Sequence, residues 1–299
     1  MAPAFAGRGV LPDDPRADIV PDSSEQRSTI AVAIPCYNEA AAVEAVVAAW
    51  RAALPGAEIV VFDNNSSDGT GAIARRLGVR VVEVRDQGKG HAVRAIFEDL
   101  ADREVVVLVD GDGTYPADLA PILIEPVLAG RADMVVGARR PVASPGAMSP
   151  IRGAGNLLIG SAFRLLIGPG TRDLLSGYRV FGRHFREVVR PRSTGFEIEA
   201  ELAGQAVARS LRVVEIPVPY HPRIAGTASK LRALRDGRRI VLAILAQSLR
   251  ARPWRPLLAL AAPIAVVGLA LESSPTVLVA GTLAVAAVAS LAWAATSRS

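Results

Sequence analysis

One cysteine and three histidines are all that this chain of 299 residues offers to disulfide or soft-metal chemistry. A lone Cys36 excludes an internal disulfide and fits a reducing compartment; beside a strand end it suits a small apolar filler. Three scattered histidines exclude a His-based metal site. Aromatic residues make up only 5% of the chain. No Walker A or Rossmann glycine fingerprint is present, and Gly88-Lys89-Gly90 is too short for either, which weighs against ATPase and dehydrogenase chemistry. No stretch near residue 1 has the form of a signal peptide. Residues 1–28, rich in Pro, Asp, Arg and Ser, read as a disordered lead-in. The formal charge of +5 admits an anionic partner without naming one, and no nucleic-acid partner is expected.

Two uncharged stretches stand near the other end, residues 256–271 and 275–296, joined by Glu272-Ser273-Ser274. The second is long enough to span a bilayer core; the first is marginal unless the bilayer thins or flanking residues snorkel. Together they read as a transmembrane helical hairpin. Arg250, Arg252 and Arg255 precede it and Arg298 follows it, while the linking loop has no basic residue. The positive-inside rule then puts both ends and the large domain in the cytoplasm, so a multi-pass protein of the cell (inner) membrane is expected. Gly268 and Gly281 could pair such hairpins into a homo-oligomer. Residues 223–255 form a basic juxtamembrane segment. Within it, Lys230–Arg252 reads as a basic amphipathic helix of the kind that lies on anionic lipid.

Between these ends, from residue 29 to about 217, apolar strand-like runs alternate with helical patterns. Strands are expected over Thr29–Pro35, Glu58–Phe62, Val79–Val84, Glu104–Asp110, Asp133–Gly137 and Leu211–Pro217. Helices are expected over Asn38–Leu54, Gly69–Leu77, Gly88–Leu100, Ala117–Ala129, Ser149–Ile167 and Phe196–Arg209. The pattern predicts an α/β domain over 29–222 with a mostly parallel sheet, whose ligands bind at the carboxyl ends of the strands. The polar clusters sit there: Tyr37-Asn38-Glu39, Asp63 to Asp68, Asp86 to Gly90, and Asp110-Gly111-Asp112. In the last, two carboxylates stand two residues apart at a strand end, where strand spacing would point both the same way. Such a pair suits a divalent cation, and a cation suits a diphosphate.

The ordered set Ile34-Pro35-Cys36-Tyr37-Asn38-Glu39, Asp63-Asn64-Asn65-Ser66-Ser67-Asp68-Gly69-Thr70, Gly88-Lys89-Gly90 and Asp110-Gly111-Asp112 resembles the inverting family 2 glycosyltransferases with the GT-A fold. Later segments are similar to the polyprenyl-phosphate (dolichyl-phosphate type) sugar synthases: Gly137-Ala138-Arg139, Asp173 with Ser176-Gly177-Tyr178-Arg179, Gly195-Phe196-Glu197-Ile198-Glu199, and Arg223 with Ser229-Lys230-Leu231. The resemblance covers roughly residues 29–240. It implies a mixed sheet, amphipathic interface helices and a membrane anchor. The implied activity is that of a hexosyltransferase moving one sugar from a UDP- or GDP-sugar to a polyprenyl phosphate.

The implied donor site is Pro35, Tyr37, Glu39, Asp63, Lys89, Asp110, Gly111 and Asp112, with Mg²⁺ or Mn²⁺ on Asp110 and Asp112. The implied acceptor-phosphate site is Arg139, Arg152, Arg223 and Lys230, with Asp173 orienting an arginine and Ser176 in support. Asp110, Asp112 and Arg139 are the expected catalytic residues. Two departures stand out. Asn64 takes the place of an acid common in the family, and Gly111 that of an alanine, the latter expected to change little. Two other readings remain open: transfer to a hydroxyl, with Glu197 or Glu199 as general base, and a membrane-anchored sugar-nucleotide binder without activity.

Overall fold

The computed structural model describes residues 29–141, 150–227, 229–230, 233–251 and 254–256. The elements alternate: β1 (Ile30–Cys36), α1 (Val43–Ala53), β2 (Glu58–Asp63), α2 (Thr70–Arg76), β3 (Arg80–Glu83), α3 (Lys89–Asp99), β4 (Val105–Leu108), α4 (Ala120–Leu128) and β5 (Met134–Pro141). Then come α5 (Pro150–Leu166), β6 (Arg179–Gly182), α6 (Arg183–Val188), α7 (Ile198–Ala208), β7 (Val213–Tyr220) and α8 (Ala233–Ala251). Seven strands form one sheet in the order β3-β2-β1-β4-β6-β5-β7. β6 is antiparallel to both its neighbours; the other pairings are parallel, so the sheet is mixed.

Period-2 alternation divides the apolar residues between two faces. Val32 and Ile34 of β1, with Val105 and Val107 of β4, face α1 and α4, where Trp50 and Leu123 are fully buried. Ala31, Ala33, Val106 and Leu108 face the other way, onto Ile96, Phe97, Phe185 and Leu202. A third, smaller core joins α5, α7 and α8 through Phe163, Leu166, Ala203, Ile240 and Ile244. Thus α8 is packed on the domain by one face.

Several sequence expectations are corrected here. β4 ends at Leu108, so Asp110 and Asp112 lie in the turn after the strand rather than at strand spacing on it. α1 begins at Val43, not Asn38, because Asn38 takes a left-handed φ of 53° and its backbone N–H donates to Ser66 Oγ at 2.9 Å. β6 and α6 were not anticipated. Arg179 interrupts the apolar pattern of β6, yet it is completely buried, with its guanidinium donating to the carbonyls of Ser176 and Leu174. Among the described residues no helix is long and apolar enough to cross a membrane. The hairpin expected over 256–271 and 275–296 lies, apart from Pro256, outside the described residues, as does the lead-in 1–28.

Candidate active site

The carboxyl ends of β1, β2 and β4 open into a cleft of about 450 Å³. Its floor is the turn Asp110-Gly111-Asp112. Pro35, Tyr37 and Glu39 from the end of β1 form one wall, and Lys89 at the start of α3 another. The rim is cationic: Arg223 and Lys230 from the loop after β7, and Arg235 and Arg239 from α8. The backbone explains how Arg223 arrives. His221 N–H donates to Thr114 O at 2.9 Å and Ile224 N–H to Asp112 O at 3.3 Å, which zips the loop after β7 onto the floor turn.

Asp110, Asp112 and Glu39 in the cleft each meet a cation. Lys89 Nζ lies 2.6 Å from Asp110 Oδ1 and 2.6 Å from Glu199 Oε1. Arg223 Nη1 lies 2.6 Å from Asp112 Oδ2, while Asp112 Oδ1 accepts from Thr114 N–H at 3.1 Å and Oγ1 at 2.6 Å. Lys230 Nζ donates to Asn38 O at 3.0 Å and stands 3.6 Å from Glu39 Oε1. Arg239 reaches Thr194 Oγ1 at 3.2 Å and Glu197 Oε1 at 3.4 Å.

The two floor acids are electrostatically unlike. Burial pushes Asp110 up, but the adjacent Lys89, with Arg223 and Arg139, outweighs it and holds the carboxyl below its usual range. Burial and the negative charge of Asp110 push Asp112 up, against the pull of Arg223. Burial also pushes Glu39 up to about 7, despite the opposing charge of Lys230. Cys36 is buried under the floor; its thiol is driven well up by burial and then by the surrounding acids, which makes it inert.

Asp110 and Asp112 are hard oxygen donors, the type that Mg²⁺ and Mn²⁺ take. Among the described residues no group of three or more His, Cys, Asp or Glu is placed to hold a metal ion. As hard oxygen donors the two acids fit an ion whose remaining ligands would be phosphate and water oxygens.

Other residues singled out in the sequence lie elsewhere. Arg139 is not part of the cleft lining. Its guanidinium makes a two-pronged pair with Asp173, at 2.8 and 2.6 Å, and lies 5.5 Å from the centre of the Tyr220 ring. Ser176 is buried and donates to Gly137 O at 2.6 Å, a support for the strand end. Asp63, at the end of β2, is not among the residues that line the cleft, and its Oδ1 accepts from Ser66 N–H at 3.1 Å. Arg152 is in the first turn of α5. Asp68 accepts from Thr70 N–H at 3.0 Å and from Ala40 N–H at 2.9 Å, which ties α2 to the loop after β1.

Sequence reasoning missed four features. Asn64 donates to Val84 O at 3.2 Å and Asp86 O at 2.7 Å, and accepts from Gly88 N–H at 2.6 Å. A carboxylate could not donate to those carbonyls, so the amide is required at this position. Gly111 is not a neutral exchange for alanine: a Cβ there would lie 2.6 Å from Cys36 Sγ. Gly177 allows the Asp110 carboxylate to lie against the backbone, for a Cβ there would be 2.1 Å from Asp110 Oδ2. Within Lys230–Arg252, expected as a basic amphipathic helix of the kind that lies on anionic lipid, Arg235 and Arg239 line the cleft.

Comparison with known proteins decides the family. The profile described as "Glycosyl transferase family 2" matches residues 31–189. The chain belongs to glycosyl transferase family 2. Among its family 2 relatives, the glycosyltransferase AglJ of Haloferax volcanii is 37% identical over 208 residues, covering 70% of this chain and 68% of the relative. A dolichyl-phosphate hexose transferase of the same organism is 34% identical over 202 residues, covering 66% and 85%. Among solved structures, glucosyl-3-phosphoglycerate synthase of Mycobacterium tuberculosis, in complex with Mn²⁺, UDP and glucosyl-3-phosphoglycerate, superposes with a TM-score of 0.57 at 24% identity, covering 76% of this chain and 82% of that one. That likeness shows the fold: the mixed sheet of this family 2 glycosyltransferase is of the GT-A type.

Proposed function

We propose that this protein is a membrane-anchored inverting hexosyltransferase that moves one sugar from a UDP- or GDP-sugar to a polyprenyl phosphate at the cytoplasmic leaflet. One observation carries the reading: acids that suit a metal-bridged diphosphate and cations that suit a second phosphate line the same cleft. In this reading residues 29–222 are the catalytic domain, 223–255 a basic juxtamembrane segment and 256–299 the anchor. Pro35, Tyr37 and Glu39, with Asp63 at the end of β2, hold base and ribose. Asp110 and Asp112 hold Mg²⁺ or Mn²⁺, which when bound neutralises the departing nucleoside diphosphate. Arg223 and Lys230 hold the acceptor phosphate, since arginine offers two parallel donors to a phosphate. Arg139, fixed by Asp173, and Arg152, in the first turn of α5, are assigned to the same acceptor phosphate.

A phosphate monoester is already largely ionised at neutral pH, so the attacking oxygen needs no tuned base. What remains for the protein is in-line positioning and charge stabilisation. The hydroxyl-acceptor alternative would need Glu197 or Glu199 as base, but both carboxylates are engaged, Glu199 by Lys89 and Glu197 by Arg239 and Gly195 N–H. Six exposed large apolar side chains on two packed helices support a lipid-facing surface: Leu157, Leu158 and Leu165 on α5, and Val241, Leu242 and Leu249 on α8.

The test is a donor screen. Purified protein, Mn²⁺ or Mg²⁺, undecaprenyl phosphate in vesicles and labelled UDP- and GDP-sugars should give a lipid-linked product that releases its sugar in mild acid. Label transferred only to hydroxyl acceptors, or bound nucleotide without turnover on any lipid phosphate, would overturn the proposal.

A further inference from the structure

Lys89 and Glu199 come from distant parts of the chain, yet two close backbone approaches bring them together. Gly90 N–H donates to Thr194 O at 3.0 Å. A Cβ at Gly88 would lie 2.2 Å from that same oxygen, and one at Gly90 2.0 Å from Ser193 O. Arg94 adds a clamp, Nη1 donating to Ser193 O at 2.9 Å. The turn Gly88-Lys89-Gly90 is thus seated against the segment that leads into α7, whose first turn carries Glu199. The result is a line of acid, ammonium and acid: Glu199, Lys89, Asp110.

Glu199 is costly where it stands. Its side chain is 5% exposed, and its Oε2 is buried with no hydrogen-bond partner among the described residues. A dry carboxylate oxygen without a partner disfavours folding, so packing alone does not explain this residue. Arg179, buried nearby, feels the Glu199 charge at a distance but gives its donors to two backbone carbonyls and Met134 Sδ. The direct partner of the Glu199 charge is therefore Lys89.

Counting charge shows what Glu199 changes. One ammonium between two carboxylates leaves the group with a single net negative charge. With Glu199 neutral, Lys89 would cancel Asp110 outright, and a divalent ion approaching the floor would meet a neutral pair. We propose that Glu199 is a positioning residue that divides the Lys89 charge, so that Lys89 fixes the Asp110 carboxylate against Gly177 without cancelling its attraction for a divalent cation. This rests on the reading of Asp110 and Asp112 as the ion-binding acids.

The test is Mn²⁺ binding by the full chain, followed by electron paramagnetic resonance, with and without UDP or GDP. Glu199→Gln keeps the size and a hydrogen bond to Lys89 but removes the charge, and should weaken Mn²⁺ binding about tenfold. Lys89→Gln should tighten it. The double variant Lys89→Gln/Glu199→Gln, again with one net negative charge, should recover most of the loss. In the transfer assay Glu199→Gln should lower kcat and leave the KM for the lipid acceptor unchanged. Wild-type Mn²⁺ affinity in Glu199→Gln, or no recovery in the double variant, overturns the inference. Should Glu199→Gln fail to fold, Lys89→Gln decides: unchanged affinity there also overturns it. Asp112→Ala separates the two layers. If it binds Mn²⁺ as wild type does, the ion-site reading itself fails; if it loses Mn²⁺ while Glu199→Gln does not, only the present inference fails.

Discussion

The two halves of the molecule bring opposite charge to one cleft. The first half, β3-β2-β1-β4 with α1 to α3, supplies the acids Glu39, Asp110 and Asp112. The second half, from β6 onward, supplies Arg223, Lys230, Arg235 and Arg239. The one lysine of the first half that lines the cleft, Lys89, is matched by an acid of the second, Glu199. The pairs Asp112–Arg223, Glu39–Lys230 and Lys89–Glu199 therefore all cross between the halves. The lesson is that the cleft pairs acids of one half with cations of the other, and that in the proposed reading a diphosphate, its ion and a second phosphate would replace those pairs. Such replacement keeps the desolvation of each charge compensated, which an open site of unpaired charges would not.

Breaking the acid side should have the largest effect. Asp112→Ala is expected to abolish turnover, a loss of roughly 10³-fold or more in kcat at saturating Mn²⁺, measured by lipid-linked product formation. Next comes the backbone beneath Asp110. Gly177→Ala places a methyl where Oδ2 now lies and should lower kcat about 100-fold, with the far-UV circular dichroism unchanged. On the cationic side, Arg223→Gln should raise the KM for the lipid acceptor about tenfold and flatten its dependence on salt. Gly111→Ala sharpens the comparison within the floor itself. Overpacking against Cys36 should destabilise the fold by about 1–3 kcal/mol, and Cys36→Ala in the same chain should restore much of it, both read from denaturant midpoints.

The smallest effect is a pH dependence. Glu39 has its carboxyl raised from 4.5 to about 7 in the folded state. The folded protein thus holds this proton more tightly than the unfolded chain. The stability it contributes is full below pH 4.5 and is lost as pH rises through 7. Glu39→Gln, which cannot ionise, should gain roughly 2–4 °C in Tm relative to wild type between pH 5 and pH 8. An equal Tm difference at both pH values would show that Glu39 is not raised.

The same division separates what was legible in the sequence from what was not. In the first half the strands are unbroken apolar runs, each followed by a polar cluster, so β1, β2 and β4 and the convergence of Tyr37, Glu39, Lys89 and Asp110 at their ends could be read directly. In the second half, Arg179 opens the buried strand β6 and hides it, because its donors are taken up by the carbonyls of Leu174 and Ser176 in the turn just before the strand. Helix α8 was legible as amphipathic and basic. Which of its basic residues face the cleft depends on its packing through Ile240 and Ile244, and only that placement turns Arg235 and Arg239 inward. Asn64 and Gly111 were visible as departures from a pattern. Their reasons, two carbonyl acceptors and one sulfur atom, exist only in three dimensions.

The central claim is that Asp110 and Asp112 grip an ion that also touches a nucleotide's phosphates. Phosphorus-31 electron–nuclear double resonance on bound Mn²⁺, with UDP or GDP present, tests it most directly. The account predicts a strong phosphorus coupling in the wild-type protein and its loss in Asp112→Ala. No coupling in the wild type, or the same coupling in the variant, would contradict it.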